Sequence, residues 1–118
     1  MTLSPSKLKE LLHIIVKDSN NSNAPNYFKG AKLVELFNAV GFEDDYDFGN
    51  TESAFRMDDR YVPKSRTDYV KHRLNCMNKR GDIESIIEPL ISMADNKQLM
   101  RTELGTVFTM DRYDPHDY

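Results

Sequence analysis

Between Pro63 and Leu74 a helix start, an apolar seam and a line of arginines are written over one another, and any fold of this chain must satisfy all three. Ser65 followed three residues later by Asp68 has the form of a capping box. The hydroxyl satisfies an orphan amide, and the carboxylate sits at the positive end of the helix dipole. A helix is predicted from Ser65 to about Lys79, stopped by Gly81. Val70, Leu74 and Met77 recur at the period of one buried helical face. Arg66, Arg73 and Arg80 are seven residues apart, and because a heptad drifts only about 20° on a straight helix they form a stripe beside that seam. Arginines in that position suit a surface that binds something acidic.

Other helices follow from the same logic. Ser4 and Pro5 are an N-cap and first-turn pair, after which Leu8, Leu11, Leu12 and Ile15 predict an amphipathic helix to about Asp18. The polar run from Ser19 to Asn26 is an exposed loop, rich in residues that bond their own backbone. Leu33, Leu36, Phe37 and Val40 place a second helix from about Gly30, with Gly41 and Phe42 suited to a left-handed C-cap. Ile83, Ile86, Ile87, Leu90, Ile91 and Ala94 hold a helical period after a capping Asp82, and Pro89 is expected to kink or split that helix. Residues 43–63 have no clean period; an irregular loop is expected, with a short helix around Glu52 to Met57 and some of Tyr46, Phe48, Phe55, Met57, Tyr61 and Val62 packed on the core. The weak alternation Thr106-Val107-Phe108-Thr109-Met110 suggests a short helix followed by a strand or hairpin. The fold class is therefore mainly α: a compact bundle of four to five helices in one domain spanning 1–118, with a long acidic loop and a short C-terminal β-hairpin.

A chain of 118 residues fits one core, and 39% hydrophobic with 30% charged residues is the balance of a globular protein with no apolar run long enough for a membrane helix. The N-terminal residues lack an export pattern, and the single cysteine, Cys76, fits a reducing compartment, so a cytoplasmic location is expected. The net charge of −3 conceals an asymmetry. From Glu43 to Asp59 seven acidic residues face one basic residue, and from Lys64 to Arg80 six basic residues face one acidic. Either the acidic loop folds back on the basic helix, with each exposed pair contributing little, or the helix presents a separate basic patch.

The chemistry-bearing residues give few catalytic options. His72 and Cys76 have the spacing of two metal ligands, but a structural zinc site needs four and no second pair is evident, so neither metal nor cofactor is expected. The run from Asp45 to Asn50 fails as a calcium loop because Asn50 and Arg56 stand where glycine and a bidentate glutamate are required. Asp47-Phe48-Gly49 matches a kinase tripeptide without any other kinase element. Asp111, Asp114, His116 and Asp117 read as a solvated tail. Without a nucleophile elbow, a phosphate-cradling glycine loop or an activated cysteine, no enzyme activity is expected.

Leu33, Leu36, Phe37, Asn38, Gly41 and Phe42, then an acidic loop, then Ser65-Arg66-Thr67-Asp68-Tyr69-Val70 with Arg73 and Leu74, and finally an isoleucine-rich helix together resemble the N-terminal domain of AbiJ-type abortive-infection proteins. The resemblance implies a mainly helical module that precedes an effector, such as a HEPN nuclease or a TIR domain, in bacterial defence against phage. It implies a sensing or protein-interaction role whose partner is a protein or a fused effector domain. No effector follows Tyr118, so the chain is expected to be either an excised domain or a stand-alone binder of defence components. The partner-facing set would be Lys64, Arg66, Tyr69, Arg73 and Arg80, beside an acidic loop of Asp44, Asp45, Asp47, Asp58 and Asp59.

Two further readings remain open. The third helix could enter nucleic acid as a recognition helix with residues 104–113 as a wing, although a pI near 5.6 opposes the counterion release on which such binding rests. Alternatively a phage-encoded inhibitor could present Glu43 to Asp59 to a defence protein by charge mimicry.

Overall fold

The computed structural model describes residues 1–17, 23–47, 49 and 53–108. Helix α1 (Pro5–Ile15) begins where Ser4 accepts a hydrogen bond from the Lys7 amide, and Pro5 occupies the first turn, where its missing N–H leaves no bond unmade. Leu11, Ile14 and Ile15 are buried on the face turned to the core, each contributing roughly 1.5–3 kcal/mol. The helix ends at Ile15, and Asp18, its expected end, lies outside the described residues, as does the Ser19 to Ser22 part of the polar loop.

Helix α2 (Gly30–Asn38) starts where the backbone passes against the Tyr46 ring, so close that a Cβ at position 30 would run into it. It ends at Asn38, and the chain turns away at Gly41, whose φ of +108° is open to glycine at no steric cost, while the Phe42 amide turns back to the Phe37 carbonyl. The acidic segment then forms a two-stranded antiparallel ribbon, β1 (Asp45–Tyr46) and β2 (Phe55–Arg56), with Tyr46 opposite Phe55. The helix expected around Glu52 to Met57 is thus replaced at its described end by a strand. Its aromatic and β-compatible residues pack better from a ribbon: Phe55 lies flat on Tyr69 at 4.4 Å between centroids and meets the edge of Tyr46 at 5.0 Å. Phe55 and Met57 are buried, Tyr46 is partly buried, and Tyr61 and Val62 are exposed; Phe48 lies outside the described residues.

Helix α3 (Arg66–Arg80) has the predicted cap, with the Asp68 amide donating to Ser65 Oγ at 3.0 Å. The Asp68 carboxylate accepts from the amide of Lys64 and from the Tyr61 hydroxyl, tying the approach loop to the first turn. After Gly81 the isoleucine-rich segment divides into a 3-10 turn (Ile83–Ile86) and α4 (Ile87–Met93). Pro89 therefore stands in the first turn of α4, and the break precedes it. Asp82 caps no amide with its side chain; that carboxylate pairs with Arg80 instead.

Helix α5 (Lys97–Val107) is capped by Asn96 and takes in Thr106 and Val107, the first two residues of the weakly alternating run. Met100, Leu104 and Val107 repeat at helical spacing and are all buried, so the helix keeps one apolar face on the core through its last residue. Thr109 and Met110, and the polar tail with Asp111, Asp114, His116 and Asp117, lie outside the described residues. Among the described residues the architecture is mainly helical, with α1 packed between α3 and α5 and a two-stranded hairpin in the acidic segment; the part of the expected C-terminal hairpin beyond Phe108 lies outside the described residues. No helix among them is long and apolar enough to cross a membrane.

Three asparagine side chains close this arrangement. Asn78 exchanges two hydrogen bonds with the backbone of Leu3, Asn38 with that of Asp44, and buried Asn26 with that of Asn96. Each amide imitates one rung of a strand ladder and satisfies backbone groups that no helix reaches.

Candidate functional site: the Arg73 cluster and the groove between α1 and α3

Arg73 projects from the middle of α3 and is only 2% exposed, which obliges the fold to supply its counter-charges. Asp44, whose side chain has no exposed surface, binds it in bidentate fashion: Nε to Oδ2 at 2.9 Å and Nη2 to Oδ1 at 2.5 Å. Asp58 accepts from Nη2 at 2.7 Å, and Asp59 lies 3.4 Å from Nη1. Asp44 also accepts from the Tyr69 hydroxyl at 2.8 Å and from the Asp58 amide at 3.1 Å. The guanidinium rests on the Phe42 ring at 4.1 Å.

These contacts set the protonation of the cluster. Burial alone would lower the Arg73 pKa, but hydrogen bonds and charge from Asp44 and Asp58 raise it above its ordinary value. Burial, then the bond to the Asp44 carboxylate, pushes the Tyr69 hydroxyl up. Burial opposes ionisation of Asp58 and Asp59 as well. For Asp58 the Glu43 amide and Arg73 outweigh it, and for Asp59 the bonds from His72 and the Tyr61 amide, with the Arg73 charge, do so; both carboxyls lie below the usual range.

The acidic loop thus folds back on the basic helix. Of the residues expected to face a partner, Tyr69 and Arg73 are buried and offer a partner no side-chain surface. Arg66 is half-buried, donates to the carbonyls of Phe28 and Lys17, and covers the Tyr27 ring. Arg80 is exposed yet engaged, with Asp82, the Val40 carbonyl and the Phe42 ring. Lys64 is exposed. In the loop, Asp44, Asp58 and Asp59 surround Arg73, Asp47 pairs with Arg56 at 3.2 Å, and Asp45 is exposed, accepting from the Tyr46 amide. The arginines of the heptad stripe are all engaged within the fold: Arg73 with the acidic loop, Arg66 with the carbonyls of Lys17 and Phe28, and Arg80 with Asp82 and the Val40 carbonyl.

The same folding brings Asp59 to His72 and Cys76. His72 Nε2 is 2.7 Å from Asp59 Oδ2, and the donor atoms of all three residues lie within 4.8 Å of one another. Tyr61 stacks on the His72 ring at 4.1 Å, almost parallel. Sequence spacing shows His72 and Cys76 but not the third member, because Asp59 reaches them from a loop 13 residues upstream.

A second feature lies on a different face of α3. Leu3, Leu8, Leu12 and Leu74 wall a groove of about 560 Å³ between α1 and α3, with Lys9, His13, Lys71, Asn75 and Asn78 around it. Lys9 and Lys71 are exposed, and neither is ion-paired among the described residues. The sequence shows Leu8 and Leu12 as core candidates; the structure leaves both only partly covered, because α3 stands off from that side of α1.

Comparisons of the chain with protein-family models, with curated proteins and with solved structures find no match to any of them.

Proposed function

We propose that this protein is a non-catalytic interaction module that takes an acidic, amphipathic helix of a partner protein into the groove between α1 and α3, in the setting of bacterial antiviral defence that the AbiJ resemblance implies. The observation that carries the reading is a leucine-walled groove flanked by exposed lysines that have no ion-pair partner among the described residues: Leu8, Leu12 and Leu74 offer apolar contact, and Lys9 and Lys71 favour carboxylates beside it. Its volume, about 560 Å³, suits two or three side chains anchored at helical spacing. The arginines of α3 serve the module from within. Arg66 and Arg73 hold the preceding loops onto α3, so charge reversal there tests folding and not binding.

The experiment begins with capture on the purified chain from nuclease-treated bacterial lysate, identification of the retained protein and measurement of its binding with pure components. Leu12→Glu should weaken binding about tenfold or more, and Lys71→Glu should slow association and flatten the salt dependence, both with an unchanged helical circular dichroism spectrum. Binding that is indifferent to both substitutions removes the groove from the function. Capture that disappears with nuclease treatment transfers the protein to the nucleic-acid class.

A further inference from the structure

We propose that Asp59, His72 and Cys76 form a binding site for a divalent transition metal, zinc being the ion that best fits the donors. Imidazole, thiolate and carboxylate are the three ligand types zinc takes, and three protein ligands leave one coordination position to water. His72 and Cys76 are one turn apart on α3, so the helix presents both to the same point, and the loop supplies Asp59 from across it. Tetrahedral zinc with bonds of about 2.0–2.3 Å holds its donors about 3.3–3.6 Å apart. The observed donors lie within 4.8 Å of one another: the His72–Asp59 pair, at 2.7 Å, opens by about 0.6 Å, and a pair at the outer limit closes by roughly 1.2–1.5 Å, which side-chain rotation can supply.

Electrostatics favour a dication there. Asp44, Asp58 and Asp59 all contact Arg73, so three carboxylates face one guanidinium and the cluster holds surplus negative charge. Arg73 Nη1 lies 3.8 Å from Cys76 Sγ and contacts Asp59 on the same side, where it steadies both donors while its own charge is absorbed by Asp44 and Asp58. Tyr61, stacked on His72 and hydrogen-bonded to Asp68, fixes the plane of the imidazole before any ion arrives. On binding, the metal takes the place of the proton between His72 and Asp59, and the Cys76 thiol releases its proton to solvent. The bound ion would tie the loop to α3 on a face separate from the groove.

The test is titration of the reduced, metal-free full chain with cobalt(II), followed by competition with zinc. One equivalent should bind with the visible bands of tetrahedral cobalt and a thiolate charge-transfer band, and zinc should displace it. Cys76→Ser should abolish the charge-transfer band, and His72→Gln and Asp59→Asn should each weaken binding at least as much as loss of an outer-shell partner does, roughly 10–100-fold. A Gln98→Ala variant, exposed on α5 and outside both the cluster and the groove, should bind like the parent. Absence of the charge-transfer band in the parent, or cobalt binding equal in the parent and in both the Cys76→Ser and His72→Gln variants, overturns the proposal.

Discussion

Replacing Arg73 by methionine isolates the contribution of the buried cluster. The substitution keeps a side chain of comparable length over Phe42 but leaves Asp44, whose side chain has no exposed surface, without its cation. The Tyr69 hydroxyl and the Asp58 amide still donate to Asp44, so the carboxylate is solvated by hydrogen bonds but not neutralised. Breaking a buried pair from one side costs about 3–5 kcal/mol. That loss is a large part of the roughly 5–15 kcal/mol usual for a domain, and with a urea m-value of about 2 kcal/mol/M it should lower the midpoint by roughly 1.5–2.5 M. Adding Asp44→Asn removes the stranded charge and keeps a carbonyl for Tyr69, so the double variant should recover about 1–3 kcal/mol of coupling. Arg80→Met is the control: its pair with Asp82 is exposed on both sides and should be worth less than about 1 kcal/mol. Equilibrium unfolding followed at the helical circular dichroism band measures all four proteins. If Arg73→Met shifts stability by less than about 1 kcal/mol, or the double variant is no better than the single, the cluster is not the electrostatic hub described here.

Two further outcomes follow from the same contacts. Asp58 and Asp59 have folded pKa values below the ordinary 3.8, so the stability they add is present above that value and is lost as pH falls through their folded values. Urea midpoints measured from about pH 6 down to about pH 2 should drop more steeply in the parent than in Arg73→Met, and equal slopes would contradict the role given to Arg73. Gly30→Ala should lower stability by about 1–3 kcal/mol through overpacking against the Tyr46 ring, and Tyr46→Leu in the same chain should return part of that loss in a thermal melt.

What the sequence could reveal was whatever is decided within one or two helical turns. Ser4, Ser65 and Gly81 mark helix ends by local hydrogen bonding, and the leucine, isoleucine and valine periods mark buried faces, so α1, α2 and α3 emerge nearly as drawn. Pro89 was harder, since a proline that breaks a helix and one that opens it look alike until the preceding turn is seen to be 3-10. The direction of the arginine stripe was not legible at all. Spacing puts Arg66, Arg73 and Arg80 in a row, but what they meet is set by Asp44, 29 residues before Arg73, and by carbonyls of Phe28 and Lys17 farther still. The clue available was indirect: an arginine at 73 flanks the buried pair Val70 and Leu74, and a charge so near a seam needs a carboxylate from the acidic run. Asp59 reaching His72 and Cys76, and Leu8 and Leu12 left half-covered, are products of how α1, α3 and the loop settle together.

The three asparagine fasteners give this protein a chemical age. Asn26, Asn38 and Asn78 each turn an amide nitrogen toward a backbone carbonyl and an amide oxygen toward a backbone N–H. Deamidation replaces that nitrogen with an oxygen, so the former donor becomes an acceptor pressed against another acceptor, and the fastener pushes where it had pulled. Damage of this kind would loosen the N-terminal strand of chain from α3, the start of the acidic loop from α2, and the approach to α2 from the α4–α5 turn. The held backbone of the folded state slows the reaction at these three sites, and any excursion that opens a fastener exposes it to a change that refolding cannot reverse.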